Sequence, residues 1–346
     1  MKYKLPFILL LSLLSVIAPA LAEDISYSVD RIWGDGSRHC AFTSLIKWKG
    51  NYYCAFREGF NHVFNEKGEA DGIIRIITSP DGNKWESCAV LTDKGYDLRD
   101  PKLSETPDGR LMLNFGRLLY RNQQLVSLET QVCFSKNGKD FSKPRTIAVT
   151  PKDSVSGLWL WRVTWHEGKG YGVNYAEKGG NNVLQLVSTE DGINYHKLKT
   201  FDVKDSPNEA TVRFTADNRM LIFVRRDGGS RSTILLSSLP PYTDWQQRDL
   251  GFHCGGPDAL ALPDGRILLS GRSEHIPRRA TNAIYTLSID GRVTESMVLP
   301  SSGDCSYPSL LVVGDTLWVT YYSTHATNKP SIYLARIPLK YFKVYY

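Results

Sequence analysis

The sequence predicts an all-β fold, a six-bladed β-propeller, and three observations carry that expectation. A hairpin signature, a short strand, a tight turn and a second alternating strand, recurs six times. A second motif of the form Ser/Thr-x-Asp-Gly-x-x-aromatic falls between hairpins. No stretch keeps a helical period beyond a turn or two, and Gly and Pro punctuate the chain throughout. A unit of this size cannot bury its apolar face alone, so the copies must stack on one another around a closed ring.

The copies run in order along the chain. The first reads AFTSLIKWKG-NYYCAFR at 41–57 and the second DPKLSETPDG-RLMLNFG at 100–116. WRVTWHEGKG-YGVNYAE at 161–177 and EATVRFTADN-RMLIFVR at 209–225 follow. GPDALALPDG-RILLSGR at 256–272 and SYPSLLVVGD-TLWVTYY at 306–322 complete the set, with starts about 50 to 60 residues apart. Asp-Gly, Lys-Gly and Asp-Asn at the turns supply residues that tolerate positive φ, which tight hairpins require. The second motif appears as SPDGNKW at 79–85, SKNGKDF at 135–141 and TEDGINY at 189–195, with a degenerate SIDGRVT at 288–294. Residues 23–346 are read as a single propeller domain with no linker.

Residues 1–22 read as a leader to be removed. Lys2 and Lys4 precede an apolar run from Pro6 to Ile17, and Ala20-Leu21-Ala22 supplies a small-x-small cleavage pattern. The expectation is export by a Sec-type signal peptide to the periplasm or the medium. No later stretch approaches the ~20 apolar residues of a membrane span. Removing the leader takes two lysines and no acid, so the net charge falls from +6 to +4. The remaining charges are interleaved rather than blocked, which argues against a nucleic-acid partner. No Asn-x-Ser/Thr sequon occurs, which favours a bacterial source. The six cysteines, Cys40, Cys54, Cys88, Cys133, Cys254 and Cys305, stand singly. They lack zinc or redox spacing, and both disulfides and buried free thiols remain open. The seven histidines show no metal-ligand spacing, and no Gly-rich loop opens a helix, so no cofactor or metal is expected. No obligate protein partner is evident.

A propeller binds ligands where equivalent strand ends converge on its axis, so the repeat alignment is also a map of the site. The seventh position after the turn is Arg57, Gly116, Glu177, Arg225, Arg272 and Tyr322. Arginines clustered at one level suit a carboxylate, sulfate or phosphate, which the guanidinium fork binds in a bidentate way. The start of the first strand offers Asp100 (beside Arg99), Trp161-Arg162, Glu209, Pro257-Asp258 and Ser306-Tyr307 at the same end. Trp159, Trp161, Trp165, Tyr321 and Tyr322 are candidates for stacking on sugar rings.

These residues resemble a family. The Ser-x-Asp-Gly-x-x-Trp motif is similar to the Asp-box (BNR repeat) of the sialidase, or neuraminidase, superfamily, one residue shorter than the usual form, and the likeness covers nearly the whole chain after the leader. NEATVRFTADNRMLIFVR at 208–225 resembles the segment carrying a catalytic Glu and one arginine of a carboxylate-binding triad. That implies Glu209 and Arg225, with Arg226 as the neighbouring alternative. PRRATNAIYTLSIDG at 277–291 resembles the segment of a second triad arginine, Arg278 or Arg279. CSYPSLLVVGDTLWVTYY resembles the segment of the nucleophilic tyrosine, here Tyr307. In the family the Glu activates the Tyr, because a phenol of pKa about 10 is a poor nucleophile without a base beside it.

The chain departs from that pattern at two places. Ala41-Phe42-Thr43 stands where the family has its first triad arginine, and Arg38 is out of register. The segment after Arg57, REGFNHVFNEKGEADG, puts His62 near the place of the family's acid/base Asp, with Asp71 beyond it. His62 is the candidate general acid, since an imidazole titrates near neutral pH, and Asp100 is the runner-up. The resemblance implies an exported, Tyr-dependent exo-glycosidase releasing a terminal acidic sugar from a glycan. Arg57, Arg99, Arg162, Arg225, Arg272, Arg279 and Tyr322 are its candidate substrate-binding residues. A polysaccharide lyase acting on uronic acids and a non-catalytic glycan-binding propeller are the alternatives.

Overall fold

A computed structural model describes residues 26–152, 159–176, 183–274 and 280–343. The expected leader at 1–22, together with Glu177, Arg278 and Arg279, lies outside the described residues.

The strands form six sheets, one per blade of a propeller, antiparallel but for one outer pair. The six hairpins expected from the sequence are the two innermost strands of the six blades. Blade 1 contains His39–Trp48, Asn51–Gly59, Ile73–Ser79 and Glu86–Leu91 from the axis outward. Blade 2 begins with Asp97–Glu105 and blade 3 with Trp159–His166. Blades 4, 5 and 6 begin with Pro207–Phe214, Gly255–Ala261 and Ser306–Val313. Blade 3 carries an additional outer strand, Ala148–Thr150, that pairs in parallel with Asn194–Thr200. The ring is closed in blade 6, where Ser28–Trp33 from the start of the described chain pairs with Ser331–Pro338 from its end.

Apolar side chains collect between blades, because each sheet is buried on both faces by its neighbours. Each interface has its own buried cluster. Trp48, Ile74 and Leu113 join blades 1 and 2, and Trp161, Val173, Val212 and Ile222 join blades 3 and 4. Cys40, Phe42, Trp318 and Ile332 bring blade 6 against blade 1. The glycine of the second motif serves the same packing. Gly82, Gly138 and Gly192 all have positive φ. A Cβ on any of them would strike the preceding blade at Trp318, Tyr53 or Met112 respectively. In each of these turns the Ser or Thr hydroxyl accepts the glycine N–H, at 2.8 Å for Ser79, 2.9 Å for Ser135 and 2.9 Å for Thr189.

The innermost strands expose one edge to the axis, and those backbone groups need partners. Neighbouring blades supply them. The Leu103 N–H donates to Ser44 Oγ at 2.9 Å, Leu45 N–H to Ser309 Oγ at 2.9 Å, and Leu310 N–H to Asp258 Oδ2 at 2.9 Å. The three acceptors occupy the same position in their blades, so the stitch is part of the repeat. All six cysteines are unpaired, and burial pushes their thiols up, to about 12 for Cys40 and Cys54. They act as small apolar side chains.

Candidate active site

One irregularity shared by all six blades builds the site. The pairing of the first two strands breaks between Ala41 and Ser44, Arg99 and Lys102, and Leu160 and Val163. It breaks likewise between Pro207 and Ala210, Gly255 and Asp258, and Ser306 and Ser309. Each break is a bulge at the start of the innermost strand, and a bulge re-aims the side chains it carries. The bulged pairs are Phe42-Thr43, Asp100-Pro101, Trp161-Arg162, Asn208-Glu209, Gly256-Pro257 and Tyr307-Pro308. Phe42, Asp100, Gly256 and Tyr307 all sit at positive φ, from 49° to 66°. The sequence shows Glu209 and Tyr307 as isolated polar groups at strand entries; the bulges turn them toward one another at one end of the axis.

Glu209 and Tyr307, 98 residues apart in sequence, meet there. The Tyr307 hydroxyl donates to Glu209 Oε1. Glu209 Oε2 accepts from Arg225 Nη1 at 2.8 Å and from the Gly256 N–H at 3.0 Å. Arg225 is itself anchored by Asp227, which accepts from Nε at 3.0 Å. The Tyr307 ring is wedged against Phe42 (centroids 4.8 Å apart) and Trp161 (5.8 Å). Burial, with the Glu209 carboxylate adding to it, pushes the Tyr307 phenol well above its usual range. Tyr307 therefore rests as a neutral phenol beside a carboxylate that can take its proton.

Asp100 lies across the opening, buried, with Oδ1 lacking a hydrogen-bond partner among the described residues. Burial raises its pKa, opposed by Lys102 and Arg99. Beneath it Lys102 is 1% exposed, and burial together with Arg162 pushes its ammonium down to about 7. Arg99 stacks over Phe42 with its guanidinium carbon 5.0 Å from the ring centroid.

On the blade 1 and blade 6 side, His62 and His39 converge on Asp304. His62 Nδ1 lies 2.9 Å and His39 Nε2 2.7 Å from the same oxygen, Oδ2. Tyr322 donates its hydroxyl to Oδ1 at 3.1 Å, and Arg272 Nη2 lies 3.6 Å from it. Burial of Asp304 opposes ionisation, but the hydrogen bonds from the two imidazoles outweigh it and hold the carboxyl far below the usual range. Burial keeps His39 below the usual imidazole range. Among the described residues this trio is the one cluster of metal-ligating groups within reach of one another. Both nitrogens stand at hydrogen-bond distance from one oxygen, closer than two ligands on a common zinc ion stand to each other.

The strand register corrects part of the arginine map. Arg57, Arg272 and Tyr322 do occupy one level, paired with Ala41, Gly255 and Ser306. In blade 4 the residue at that level is Arg226, paired with Pro207, and Arg225 points to the opposite face of the strand. The blade 4 hairpin has five residue pairs between turn and bulge where blades 2 and 5, with turns of the same length, have four, so a count from the turn falls one residue short. Arg226 is spent on Asp205, Asp249 and the Ser232 carbonyl. Arg57 does not line an open site either: it is 0% exposed, with Nη2 2.8 Å from Asp97 and Nη1 donating to the Asn61 carbonyl at 2.9 Å. Arg162 turns into the channel below the site, 3.4 Å from Asp258, and its Nε and Nη2 have no partner among the described residues. Arg225 and Arg272 are the partly exposed cations of the opening. Asp304, which sequence reading did not single out, sits in a connecting segment that carries no repeat signal. Its level in the blade, three residues before the bulge, is that of Asp97, and both serve an arginine of the preceding blade.

No protein-family profile matches the chain, and a search of curated proteins finds no sequence relative. Solved structures share the fold. A Dyadobacter fermentans protein of unknown function superposes with a TM-score of 0.77 at 19% identity, covering 90% of this chain and 97% of that one. Trypanosoma rangeli sialidase, solved with 2,3-difluoro-KDN, gives 0.68 at 13% identity over 90% of this chain, which spans 58% of the sialidase. The α-L-arabinofuranosidase Arb93A of Fusarium graminearum, solved with an iminosugar inhibitor, gives 0.69 at 14% identity over 91% and 98% of the two chains. At these identities the likeness establishes the fold.

Proposed function

We propose that this protein is an exported, retaining exo-glycosidase that removes a terminal acidic sugar from a glycan, with Tyr307 as nucleophile and Glu209 as its base. The observation that carries this reading is the Tyr307 hydroxyl bound to a Glu209 carboxylate whose other oxygen is fixed by Arg225 and the Gly256 amide. A carboxylate held by two further donors cannot swing away, so the phenol meets its base in one geometry. As Tyr307 Oη attacks the anomeric carbon its proton passes to Glu209, and the glycosidic bond breaks with its electron pair leaving on the oxygen. Tyrosine suits an anionic sugar, because a carboxylate nucleophile would be repelled by it. Tyr-dependent sialidases are a known exception to the two-carboxylate pattern of glycosidases.

Arg225 and Arg272 supply positive charge at the opening, and the resemblance of its segment makes Arg279, outside the described residues, a further candidate. The substrate is not held as the resemblance alone would have it, since Phe42 packs against Tyr307 on the side of the missing arginine. His62 is the proton donor to the leaving oxygen, with Asp100 as the alternative. The fold's occurrence in a sialidase and an arabinofuranosidase is consistent with a glycan substrate.

The test is a screen of the purified protein against chromogenic terminal sugars and natural acidic glycans. A saturated monosaccharide released by the wild type and not by Tyr307→Phe supports the reading. An unsaturated product absorbing in the ultraviolet would instead identify a lyase. Glycan binding without cleavage would leave a lectin-like propeller.

A further inference from the structure

The Tyr307–Glu209 pair accounts for bond formation at the sugar, and leaves unexplained why a further, separate carboxylate, Asp304, is built into the same rim. Asp304 accepts from His39, His62 and Tyr322 and has Arg272 beside it. Each donor fixes something. His39 is 4% exposed, and its hydrogen bond to Asp304 leaves Nδ1 without a partner among the described residues. Its ring stacks edge-on against His62 with centroids 5.1 Å apart. Tyr322 is wholly buried and bonds the other carboxylate oxygen, so Asp304 cannot rotate. His62 is half exposed, is held on its far side by an edge contact with Phe42 at 5.4 Å, and has Nδ1 committed to Asp304. Phe42 in turn touches the Tyr307 ring. A rim histidine on a loop would ordinarily sample many rotamers; here two rings and a carboxylate determine one.

We propose that Asp304, steadied by His39 and Tyr322, is a positioning residue that fixes His62 with Nδ1–H bound and Nε2 facing the opening, where it donates the proton to the leaving oxygen. The inference rests on the hydrolase reading and extends it. A carboxylate on one ring nitrogen selects the tautomer and stabilises the imidazolium. In the first step the Nε2 proton moves to the glycosidic oxygen as the C–O bond breaks, while Tyr307 Oη bonds the anomeric carbon and gives its proton to Glu209. In the second step water attacks that carbon and returns a proton to Nε2, the Tyr307–sugar bond breaks, and Glu209 returns the proton to Oη. Every proton lost in the first step is restored in the second. The direct N···O distances, 2.7 and 2.9 Å, favour this arrangement over a metal centre built from the same three groups.

The experiment compares aryl glycosides bearing a nitrophenol with alkyl glycosides of the same sugar, since only the alkyl leaving group needs protonation. Asp304→Asn, which preserves volume, is expected to lower kcat/KM, which reports the first step, about 10²-fold on the alkyl substrate. It is expected to leave kcat/KM on the nitrophenyl substrate within a few-fold of wild type, while kcat falls on both substrates because the attack of water also uses Nε2. His62→Gln should show the same split, and the double variant should be no worse than either single one. Equal losses of kcat/KM on both substrates, additive losses in the double variant, or turnover abolished by a chelator and restored by zinc would each overturn the proposal. Tyr307→Phe loses both substrates, and a wild type inert on every glycoside would sink the hydrolase reading itself. Failure of the two ideas is thereby distinguished.

Discussion

Gly256→Ala tests the geometry of the site without removing any of its polar groups. Gly256 has φ +59°, and a Cβ built on it would lie 2.8 Å from Cδ2 and Cγ of Tyr307. The backbone cost alone is modest, about 1–2 kcal/mol for a side chain in the left-handed region. Phe42, Asp100 and Tyr307 bear side chains at the equivalent bulge position with φ of 66°, 50° and 49°, so the fold tolerates it. The contact is the larger matter. Carbon atoms pack at about 3.5 Å or more, so the Tyr307 ring must retreat by roughly 0.7 Å. Phe42 and Trp161 close the ring's other sides, and the motion carries Oη off its line to Glu209. A displacement near 1 Å at a reacting atom costs about 10²-fold in rate. The variant is therefore expected to fold, to melt a few degrees lower, and to lose between one and two orders of magnitude in kcat on the best glycan substrate. Wild-type turnover in a folded Gly256→Ala protein would refute the placement of Tyr307 as the reacting group.

Other perturbations separate catalytic from structural charges. Glu209→Gln removes the base and puts an amide among three donors; turnover should fall about 10³-fold, with a stability loss of about 1–3 kcal/mol in denaturant titration. Arg57→Met should cost about 3–5 kcal/mol, because it leaves the buried Asp97 carboxylate only the longer contact to Arg99, and glycan affinity measured by calorimetry on the folded fraction should be unchanged. Lys102→Met should stabilise the protein. Its ammonium is held near 7 in the folded chain against 10.5 unfolded, so the unfolded state binds more protons between those values. Wild-type stability accordingly rises with pH across that window, and the advantage of the variant, a few kcal/mol below pH 7, should vanish by about pH 10.5. An advantage that is flat with pH would show that Lys102 is not buried as a charge.

The propeller was legible because its determinants are local and repeated. Asp-Gly turns such as 108–109 and 264–265 mark hairpin ends, and a short apolar run such as Leu111–Phe115 marks a strand buried on both faces. The glycine of SPDGNKW recurs because each copy meets a side chain of the preceding blade. Closure of the ring was not legible, since Ser28–Trp33 and Ser331–Pro338 carry no sign of each other. Glu209 and Tyr307 could be found by resemblance, yet their contact depends on two bulges that leave no mark in the pattern of apolar residues. The arginine misassignment has a different origin: a count from the turn places Arg225 level with Arg57, but the blade 4 hairpin is one pair longer than those of blades 2 and 5, and the pairing places Arg226 there. Asp304 was missed because its importance lies in its partners, His39, His62 and Tyr322, which come from three separate segments. Histidine spacing along the chain says nothing about such a meeting.

The central claim is that Tyr307 is the nucleophile, and the most direct measurement is peptide mass analysis of protein quenched during turnover. A fluorinated analogue of the substrate found in the screen would slow breakdown of the intermediate. The expected result is one sugar added per chain, on the peptide containing Tyr307, and absent in Tyr307→Phe. Turnover with no adduct on that peptide, or an adduct on another residue, would contradict the account.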